Sequence, residues 1–485
     1  MRPARSGFIF VSMALMIIVL LGVVGLAIDG GIMNNIKAKL STAVDAAALG
    51  AARSLSRGTD LASQRANAEA AARRFFDANF PEGYWASVNR TFTVQVDETV
   101  YKTRTVSTRG AVDAPMLFLR ILGYDSTRVA AQAVASRRDV NLIILLDRSG
   151  SIHSAGADET VRSAARSFVD KFADGRDRIG MVTFSGPYRV AYSPTLYFRT
   201  GSPDIISVIN AITFDGNTGT AEALWQSYQL LANIGESGTL NIIVFFTDGR
   251  PTAVTAQFPV KTQVDTRYDY QNTGTLVSTP ASSCSSSTAK VGFISAPMGS
   301  YPTTGTTWGV MVPLATSASH NEWTLAPNCT NCSFAPGSDQ SYRPRMRRDI
   351  AYIPATDTHG TSTSGYKPLL AGGDKFTSGP YNGQIRPDSP RALRYVGDNL
   401  SDNVAYRIRN DTATLNLAIV TFAIGLGGTS TEPIDHELLR RISNDPQSSI
   451  FDNTKPPGLY VYSPTPAELN DAFNKVASEI LRLAL

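Results

Sequence analysis

The chain has 485 residues, of which 43% are hydrophobic and 18% are charged. This composition supports packed cores and excludes a globally disordered chain, and the length predicts about three domains. The formal net charge is only +4, so charge does not indicate nucleic-acid binding, and we expect none.

The first predicted element is an apolar helix from Phe8 to Ile28, FIFVSMALMIIVLLGVVGLAI, which contains no charged residue. Its length suffices to cross a bilayer. The run exceeds the core of a signal peptide, and no A-x-A cleavage pattern follows it. Basic residues flank it almost evenly, and long domains cross membranes largely regardless of charge. We expect one span, with the N-terminus inside and the remaining mass outside.

The helix is predicted to continue beyond the span, because apolar residues recur at steps of three or four. These residues are Ile36, Leu40, Val44, Ala47 and Ala51. The run from Arg5 to Arg53 resembles the N-terminal module of Tad-type (TadG-like) pilus-assembly proteins. The resemblance is carried by Gly25–Asp29, GLAID, and by Asp45–Leu49, DAAAL. The Glu that type IV pilins carry five residues after a processed Gly is missing after Gly7. We assign the Tad-like module to residues 1–58.

A small helix-plus-strand module is predicted at residues 59–138. Asp60 to Phe80 has the pattern of a helix that Pro81 ends. Thr91 to Val96 alternates between polar and apolar residues, which is typical of a half-buried strand. Thr103–Ser107 and Val129–Ala135 are further predicted strands.

The stretch Asn141–Ser151, NLIILLDRSGS, predicts a buried strand that ends in an oxygen-rich loop. Leu142 to Leu146 is continuously apolar, as in a parallel strand covered on both faces. Asp147, Ser149 and Ser151 follow at the edge where open α/β sheets bind ligands. Their oxygen atoms suit a hard cation such as Mg²⁺. Alternatively, the loop is merely polar, with Asp147 and Ser149 capping the next helix.

Two later stretches favour the cation site. Asp215–Leu224, DGNTGTAEAL, is a Gly-rich loop that leads into a helix and presents Thr218. Asn241–Gly249, NIIVFFTDG, is a second apolar strand, and it ends in Asp248. Together with the pattern after Asp147, these stretches resemble the von Willebrand factor A domain and its metal-ion-dependent adhesion site. The resemblance implies Mg²⁺ or another divalent cation and no catalytic residue. The implied metal-binding residues are Asp147, Ser149, Ser151, Thr218 and Asp248.

From Asp139 onward, buried strands alternate with amphipathic helices, which predicts a parallel sheet covered on both sides. The predicted fold class is α/β, a von Willebrand A domain with a Rossmann-like, doubly wound, mainly parallel sheet. It occupies residues 139–250 and 413–485. A long insertion, residues 251–412, is rich in Ser, Thr, Gly and Pro. Because it leaves from the metal-bearing edge, we expect it to influence the choice of partner.

All three cysteines, Cys284, Cys329 and Cys332, lie in the insertion. The Cys329-x-x-Cys332 pattern is compatible with a redox or zinc half-motif, with a disulfide or with free thiols. A zinc site needs two more ligands, and His320 is the only one near in sequence. In an oxidising compartment we predict a disulfide between Cys329 and Cys332, or between one of them and Cys284. The basic cluster Arg343–Arg348 is interpreted as a solvated loop.

Together, the resemblances imply a bacterial envelope protein of Tad/Flp-type pilus assembly or surface adhesion. It is expected to cross the inner (cytoplasmic) membrane once, with its bulk in the periplasm or outside the cell. The expected partners are a protein that presents a carboxylate to the metal and components of the pilus or its assembly machinery. One alternative is a metal-dependent phosphoester hydrolase, for which His153 is the only local candidate base. Another is a structural minor pilin. Nucleotide binding is disfavoured because no G-x-x-x-x-G-K-[ST] loop is present.

Overall fold

The structure is a computed structural model. It describes residues 6–55, 57, 61–100, 102–185, 188–236, 239–259, 265–268, 276–279, 290–295, 311–313, 323–325, 351–387, 389–411, 418–427 and 434–484. The three cysteines, His320 and Arg343–Arg348 lie outside these residues, so the disulfide stays a prediction.

The chain divides into two compact units. The first contains the described residues of Met1–Asp139 together with Phe172–Gly175 and Leu481–Leu485. The second contains those of Val140–Lys171 and Arg176–Ile480. The predicted modules 1–58 and 59–138 therefore fall in one unit.

The first unit packs two helices against a three-stranded sheet. Its helices are α1 (Ser6–Ser54) and α2 (Leu61–Asn79), and its strands are β1 (Val88–Val100), β2 (Thr103–Pro115) and β3 (Ser126–Arg138). The strands are antiparallel in the order β1-β2-β3. Each strand is longer than the segment that the sequence predicts, because its ends lack the alternation on which the prediction depends.

The apolar stripe in the second half of α1 forms the core of this unit. Its predicted members Ile36, Leu40, Val44, Ala47 and Ala51 are all fully buried, which confirms the stripe. They share one cluster with residues of α2 and of the sheet. The boundary predicted at residue 58 therefore separates helices whose side chains occupy one core.

The first half of α1 has a different surface. Met16 and Val19 are 68% and 67% exposed, and most described side chains before Ile32 are likewise exposed. Among the described helices, only this one is long and apolar enough to cross a membrane, and the candidate segment is Ser12–Ser54. Because residues beyond Ile32 pack in a protein core, the exposed apolar part of this helix overlaps the predicted span Phe8–Ile28.

The second unit is built on a six-stranded sheet with smaller sheets beside it. Its strands are β4 (Val140–Asp147), β5 (Arg178–Phe184), β6 (Tyr188–Thr195), β7 (Leu240–Thr247), β8 (Ala253–Phe258), β9 (Asp265–Tyr268), β10 (Leu276–Thr279), β11 (Lys290–Ser295), β12 (Met311–Pro313), β13 (Trp323–Leu325), β14 (Ile419–Leu426) and β15 (Leu459–Ser463). The large sheet has the order β15-β14-β7-β4-β5-β6. All its pairs are parallel except β5 with the edge strand β6. The predicted mainly parallel α/β fold is confirmed.

Helices cover both faces of this sheet. They are α3 (Gly150–Ser154), α4 (Asp158–Val169), α5 (Ile205–Asn210), α6 (Thr220–Ile234), α7 (Pro390–Asn410), α8 (His436–Ser443) and α9 (Leu469–Ala484). Phe245 of β7 lies in a core cluster with residues of α6 and α7. The next residue, Phe246, points to the opposite face and lies 5.8 Å from the Phe473 ring of α9. Alternate side chains of one strand thus bury against opposite layers, which explains its continuous apolar run.

The ends of the predicted insertion contribute to the second unit's packing. Helix α7 begins with Ser389 as its N-cap and buries Leu393, Val396 and Leu400 in the same cluster as α6. Strand β8 pairs with β11, and the small sheet has the order β13-β12-β11-β8. The core of this unit therefore extends into residues that the sequence analysis placed outside the A domain.

Candidate metal centre

Two neighbouring parallel strands bring the predicted carboxylates to one edge of the large sheet. Strands β4 and β7 pair in register as far as Leu146 and Phe246. Asp147 ends β4, and Asp248 directly follows β7. Both strands are buried along their whole length, and their apolar residues hold them in place. The polar residues at their ends therefore lie side by side at one edge of the sheet.

Hydrogen bonds join four of the five predicted residues. The backbone N–H of Ser149 donates to Asp147 Oδ1 at 2.8 Å. The Ser151 hydroxyl donates to Asp248 Oδ1 at 2.8 Å, and the Ser149 hydroxyl donates to the same oxygen at 3.3 Å. The two hydroxyl oxygens are 3.0 Å apart. Ser149 is the N-cap of α3, but its side chain makes no capping hydrogen bond. The side-chain oxygens therefore converge on one another rather than on the helix end.

The fifth predicted residue, Thr218, lies on an adjoining loop. That loop is held against the Asp147 loop by two backbone bonds, from Asp215 N–H to Arg148 O and from Gly150 N–H to Gly216 O. Gly216 has a φ of 84°, which favours glycine at this turn. Thr218 is buried, and in the described residues its hydroxyl makes no hydrogen bond to the other four. The structure thus places Thr218 beside the cluster without joining it directly.

Two threonines that the sequence analysis did not single out support the cluster. The Thr247 hydroxyl donates to Asp147 Oδ2 at 2.6 Å, so it ties the end of β7 to the end of β4. Thr252 Oγ1 accepts a hydrogen bond from the Thr218 backbone N–H at 2.9 Å. Both residues flank Asp248 in the run FTDGRPT, and that concentration of hydroxyls beside a strand-ending carboxylate was the available signal.

Two buried carboxyl groups lie together at this edge of the sheet. Asp147 is 0% exposed and Asp248 only 3%. Burial, and secondly the charge of Asp248, raises the pKa of Asp147 to about 7, although hydrogen bonds from Thr247 and Ser149 oppose the shift. Burial likewise raises the pKa of Asp248. The two carboxylates therefore lie in a site that disfavours their ionised forms unless positive charge is supplied.

The donor set fits a hard divalent cation. Neither carboxylate pairs with a Lys, Arg or His anywhere in the described part of the chain, so no protein cation neutralises them. The surrounding oxygens are hydroxyls, and Mg²⁺ prefers an all-oxygen environment. Over the same described residues, no cluster of three or more His, Cys, Asp or Glu side chains is arranged to hold a metal ion. A cation here would accordingly depend on the Ser and Thr hydroxyls as well as on two carboxylates.

His153 is the candidate base of the hydrolase alternative, and its hydrogen-bond partner lies outside this cluster. Its side chain is 71% exposed, and Nδ1 lies 2.8 Å from Asp158 Oδ2. In the described residues no hydrogen bond links His153 to any of the five predicted metal-binding residues. The structure therefore does not pair this imidazole with the oxygen cluster.

Comparison with known families identifies two segments. The model of the von Willebrand factor type A domain matches residues 142–250, which contain all five predicted metal-binding residues. The model of the Flp pilus-assembly TadE/G-like family matches residues 7–54, which correspond to nearly all of α1. Both matches confirm the resemblances inferred from the sequence. Among curated proteins, no match was found.

Several solved structures are similar to the chain at low identity. The pilus adhesin SpaC from Lactobacillus rhamnosus GG is 13% identical, with a TM-score of 0.36, over 81% of this chain and 34% of that one. The chain thus spans about a third of SpaC. The PilB minor pilin from Streptococcus sanguinis is 12% identical, with a TM-score of 0.33, over 83% and 80% of the two chains. The von Willebrand domain of the pilus tip protein Mfa5 from Porphyromonas gingivalis is 15% identical, with a TM-score of 0.35, over 72% and 98%.

Proposed function

From a chain that combines a TadE/G-like segment with a von Willebrand factor type A domain, we propose a membrane-anchored protein of Tad/Flp-type pilus assembly or surface adhesion. The anchor is the first half of α1, and the A domain lies on the periplasmic or extracellular side of the inner membrane. The A domain binds a protein partner through a divalent cation at the Asp147 edge.

One observation carries this proposal: two buried carboxylates each accept hydrogen bonds from neighbouring hydroxyls and have no basic partner among the described residues. An isolated buried carboxylate is unfavourable, and two adjacent ones repel each other. Such an arrangement lowers the stability of the fold, and apolar residues would fill the same space at less cost. Its presence therefore indicates a function. Cation binding supplies the missing positive charge.

The residues that would hold Mg²⁺ are Asp147, Ser149, Ser151, Thr218 and Asp248. When bound, the cation would offer an electron-poor position to a partner's carboxylate. Before binding, the chain's own groups prepare the site. Thr247 orients Asp147, and Ser151 orients Asp248. The loop of Thr218 is held by backbone bonds, so the hydroxyl approaches the cluster on a fixed scaffold.

Partner binding is favoured over phosphoester hydrolysis by the same geometry. Hydrolysis needs a base to activate water or a second metal. The exposed His153 is bonded to Asp158, and the cluster contains only hydroxyls and two carboxylates. Purified full-length protein should therefore show no metal-dependent activity against phosphoesters. Turnover that disappears in Asp147→Ala would support the hydrolase instead.

The binding proposal is tested by partner capture from cells that assemble the pilus. Full-length protein in nanodiscs should retain its partner in Mg²⁺ and release it in EDTA. Ser149→Ala with Ser151→Ala should fail to capture in either condition, because two cation-binding oxygens are gone. Asp215→Ala is a matched control on the same edge: its side chain is 74% exposed and pairs with Arg148, so capture should be retained. Equal capture in EDTA and Mg²⁺ would refute the metal-dependent mechanism.

The membrane topology is tested independently. A reporter that is active only in the periplasm, fused after Leu485, should be active. Activity of a cytoplasmic reporter at the same position would contradict the proposed orientation. Fractionation with sheared pili would favour the structural minor pilin, whereas retention in the membrane fraction supports an anchored assembly or adhesion factor.

A further inference from the structure

The connection between β2 and β3 exposes an unusual run of apolar side chains. We call Met116–Tyr124, MLFLRILGY, the apolar loop. Its centre is a short 3₁₀ helix, Leu119–Leu122. Ile121 is 84% exposed and Leu122 is 71% exposed. Clustered exposed apolar residues of this kind mark an interaction surface, because water disfavours them.

A buried carboxylate of α1 fixes the apolar loop in place. Asp29 is 1% exposed, and its two oxygens accept hydrogen bonds from three successive backbone N–H groups. Leu117 donates at 2.8 Å, Phe118 at 3.0 Å and Leu119 at 2.8 Å. Charge-assisted bonds to a row of backbone donors satisfy both the carboxylate and the start of the 3₁₀ helix. The loop's exposure therefore belongs to a built conformation.

The apolar loop also touches α1 one turn earlier, inside the predicted membrane span. Gly25 lies on the same face as Asp29, four residues before it. A Cβ atom at Gly25 would lie 2.6 Å from Phe118 Cβ, so a larger residue there would displace the phenylalanine. Four residues of helix correspond to about 6 Å. The loop thus extends beyond Asp29 towards the apolar part of the helix.

The position of these contacts along the span indicates what covers the apolar loop. The run Phe8–Ile28 has a helical length of roughly 31 Å, close to the hydrocarbon thickness of a bilayer. Asp29 then lies at the boundary of the hydrocarbon. Phe118, which touches Gly25, lies at the level of the last turn of α1 inside the hydrocarbon. Leu26 is 58% exposed, so the helix presents apolar surface next to Gly25, where the loop touches it. A bilayer around the helix would meet both.

We propose that the apolar loop is a second membrane contact, which inserts into the interface of the bilayer that α1 spans. This inference rests on the proposed membrane anchor. The apolar loop contacts the helix at Gly25 and Asp29. It contains one basic residue, Arg120, which is 74% exposed and paired with Asp125 at 3.1 Å. A long Arg side chain extends to the headgroups while its neighbours enter the acyl region. Two contacts, a span and a loop, fix the rotation of the first unit about the helix axis.

The test places a tryptophan on the apolar loop and measures its depth in lipid. Full-length Ile121→Trp is reconstituted in nanodiscs whose lipids carry bromine at a shallow acyl position. The signal is the fluorescence added over wild type, which contains four tryptophans. Most of the added fluorescence should be lost in brominated lipid. Val134→Trp is the matched control: Val134 is 64% exposed in the same unit, about 26 Å along β3 from Ser126, and should not be quenched.

A third variant separates the two proposals. Val19→Trp lies in the span itself and should be quenched most by bromine deep in the acyl chains. Quenching of Val19→Trp, with Ile121→Trp behaving as Val134→Trp, would refute the loop contact and leave the anchor standing. Absence of quenching in both Val19→Trp and Ile121→Trp would refute the anchor. Shielding of Ile121→Trp from aqueous iodide without lipid quenching would assign the surface to a protein partner, which also overturns the proposal.

Discussion

The second unit treats its buried carboxylates in two opposite ways. At the carboxyl edge of the sheet, Asp147 and Asp248 are buried with hydroxyl donors and no described basic partner. Elsewhere in the unit, several buried or half-buried acids each form an ion pair with a basic side chain. These paired acids are Asp398 with Arg250, Asp402 with Arg441 and Asp435 with Lys367. These three acids therefore have a basic partner, whereas the two carboxylates at which we propose cation binding have none among the described residues.

The pKa values follow this difference only in part. Burial alone would raise the pKa of Asp435, but the hydrogen bond from Lys367 and the Leu438 N–H outweigh it and lower the pKa. Asp398 is different: burial outweighs the charge of Arg250 and raises its pKa to about 6. Asp147 goes further, to about 7. The comparison teaches that a basic partner reduces the cost of burial but does not always cancel it.

The largest expected effect comes from the core rather than from either set of acids. Phe168→Ala should lower the free energy of unfolding by about 3–5 kcal/mol, the usual cost of truncating a buried Phe. Phe168 is 0% exposed and packs edge-on against Phe473 at 5.6 Å. Denaturant titration measures the loss, and the remaining folded fraction should still bind Mg²⁺. Ser151→Ala is the contrasting variant and should change metal-free stability by far less. Equal losses would mean that the edge is part of the stabilising core.

Removing the basic partner of one buried acid should have the next largest effect on the free energy of unfolding. Arg441→Ala leaves Asp402 buried without its two guanidinium bonds, which measure 2.8 and 2.6 Å. Such a change should cost about 3 kcal/mol. Adding Asp402→Ala should recover part of the loss, because the unpaired charge is then removed. A double variant no more stable than Arg441→Ala would show that packing, and not the buried charge, determines the effect.

At Asp147 and Asp248, the effect of a substitution on stability should depend on added metal. Mg²⁺ at about 100 times its dissociation constant should stabilise wild type by roughly 2.7 kcal/mol. Asp147→Ala should lose this stabilisation while its far-UV circular dichroism stays near wild type, because the carboxylate contributes little to the apolar core. Thermal unfolding with and without Mg²⁺ measures the difference, with Asp215→Ala as the control that responds like wild type. Absence of any divalent-cation binding to wild type by calorimetry would make the edge a scaffold only.

The smallest effect concerns the hydrogen-bonded pair of His359 and Glu222. Burial alone would lower the pKa of His359, but its hydrogen bond to Glu222 and that residue's charge outweigh burial and raise the pKa. The protonated imidazole is therefore favoured in the folded state. Its contribution is fully present below pH 6.5 and is lost as pH rises through the folded pKa.

His359→Gln should lower stability by about 1 kcal/mol at pH 5.5, the scale of a partly exposed charged hydrogen bond, and by less at pH 8.5. Glu222→Gln should remove the same pH dependence. The paired unfolding curves at the two pH values measure both. A His359→Gln effect that does not change with pH would attribute it to stacking on Trp225, whose ring centroid is 5.2 Å away.

Much of the site was determined by local sequence. The apolar runs before Asp147 and Asp248 specify buried strands, and such strands present their ends at one edge. The hydroxyls at Ser149 and Ser151 follow within four residues, so their proximity to Asp147 needs no tertiary information. The stripe that includes Ile36 and Leu40 was equally readable, because helical periodicity is a local property.

Only the tertiary structure decided which distant segments meet. Helix α7 lies in the segment that the sequence analysis treated as an insertion, and its place beside α6 depends on packing across more than 150 residues of chain. Edge strand β6 has a mixed burial pattern, so nothing local specified its antiparallel pairing. Asp29 illustrates the limit most clearly. Its sequence context indicates only a helix leaving a membrane, whereas its partners, the N–H groups of residues 117–119, lie 88 to 90 positions away. Backbone donors look alike in every sequence, so only the folded chain determines which of them a buried carboxylate accepts.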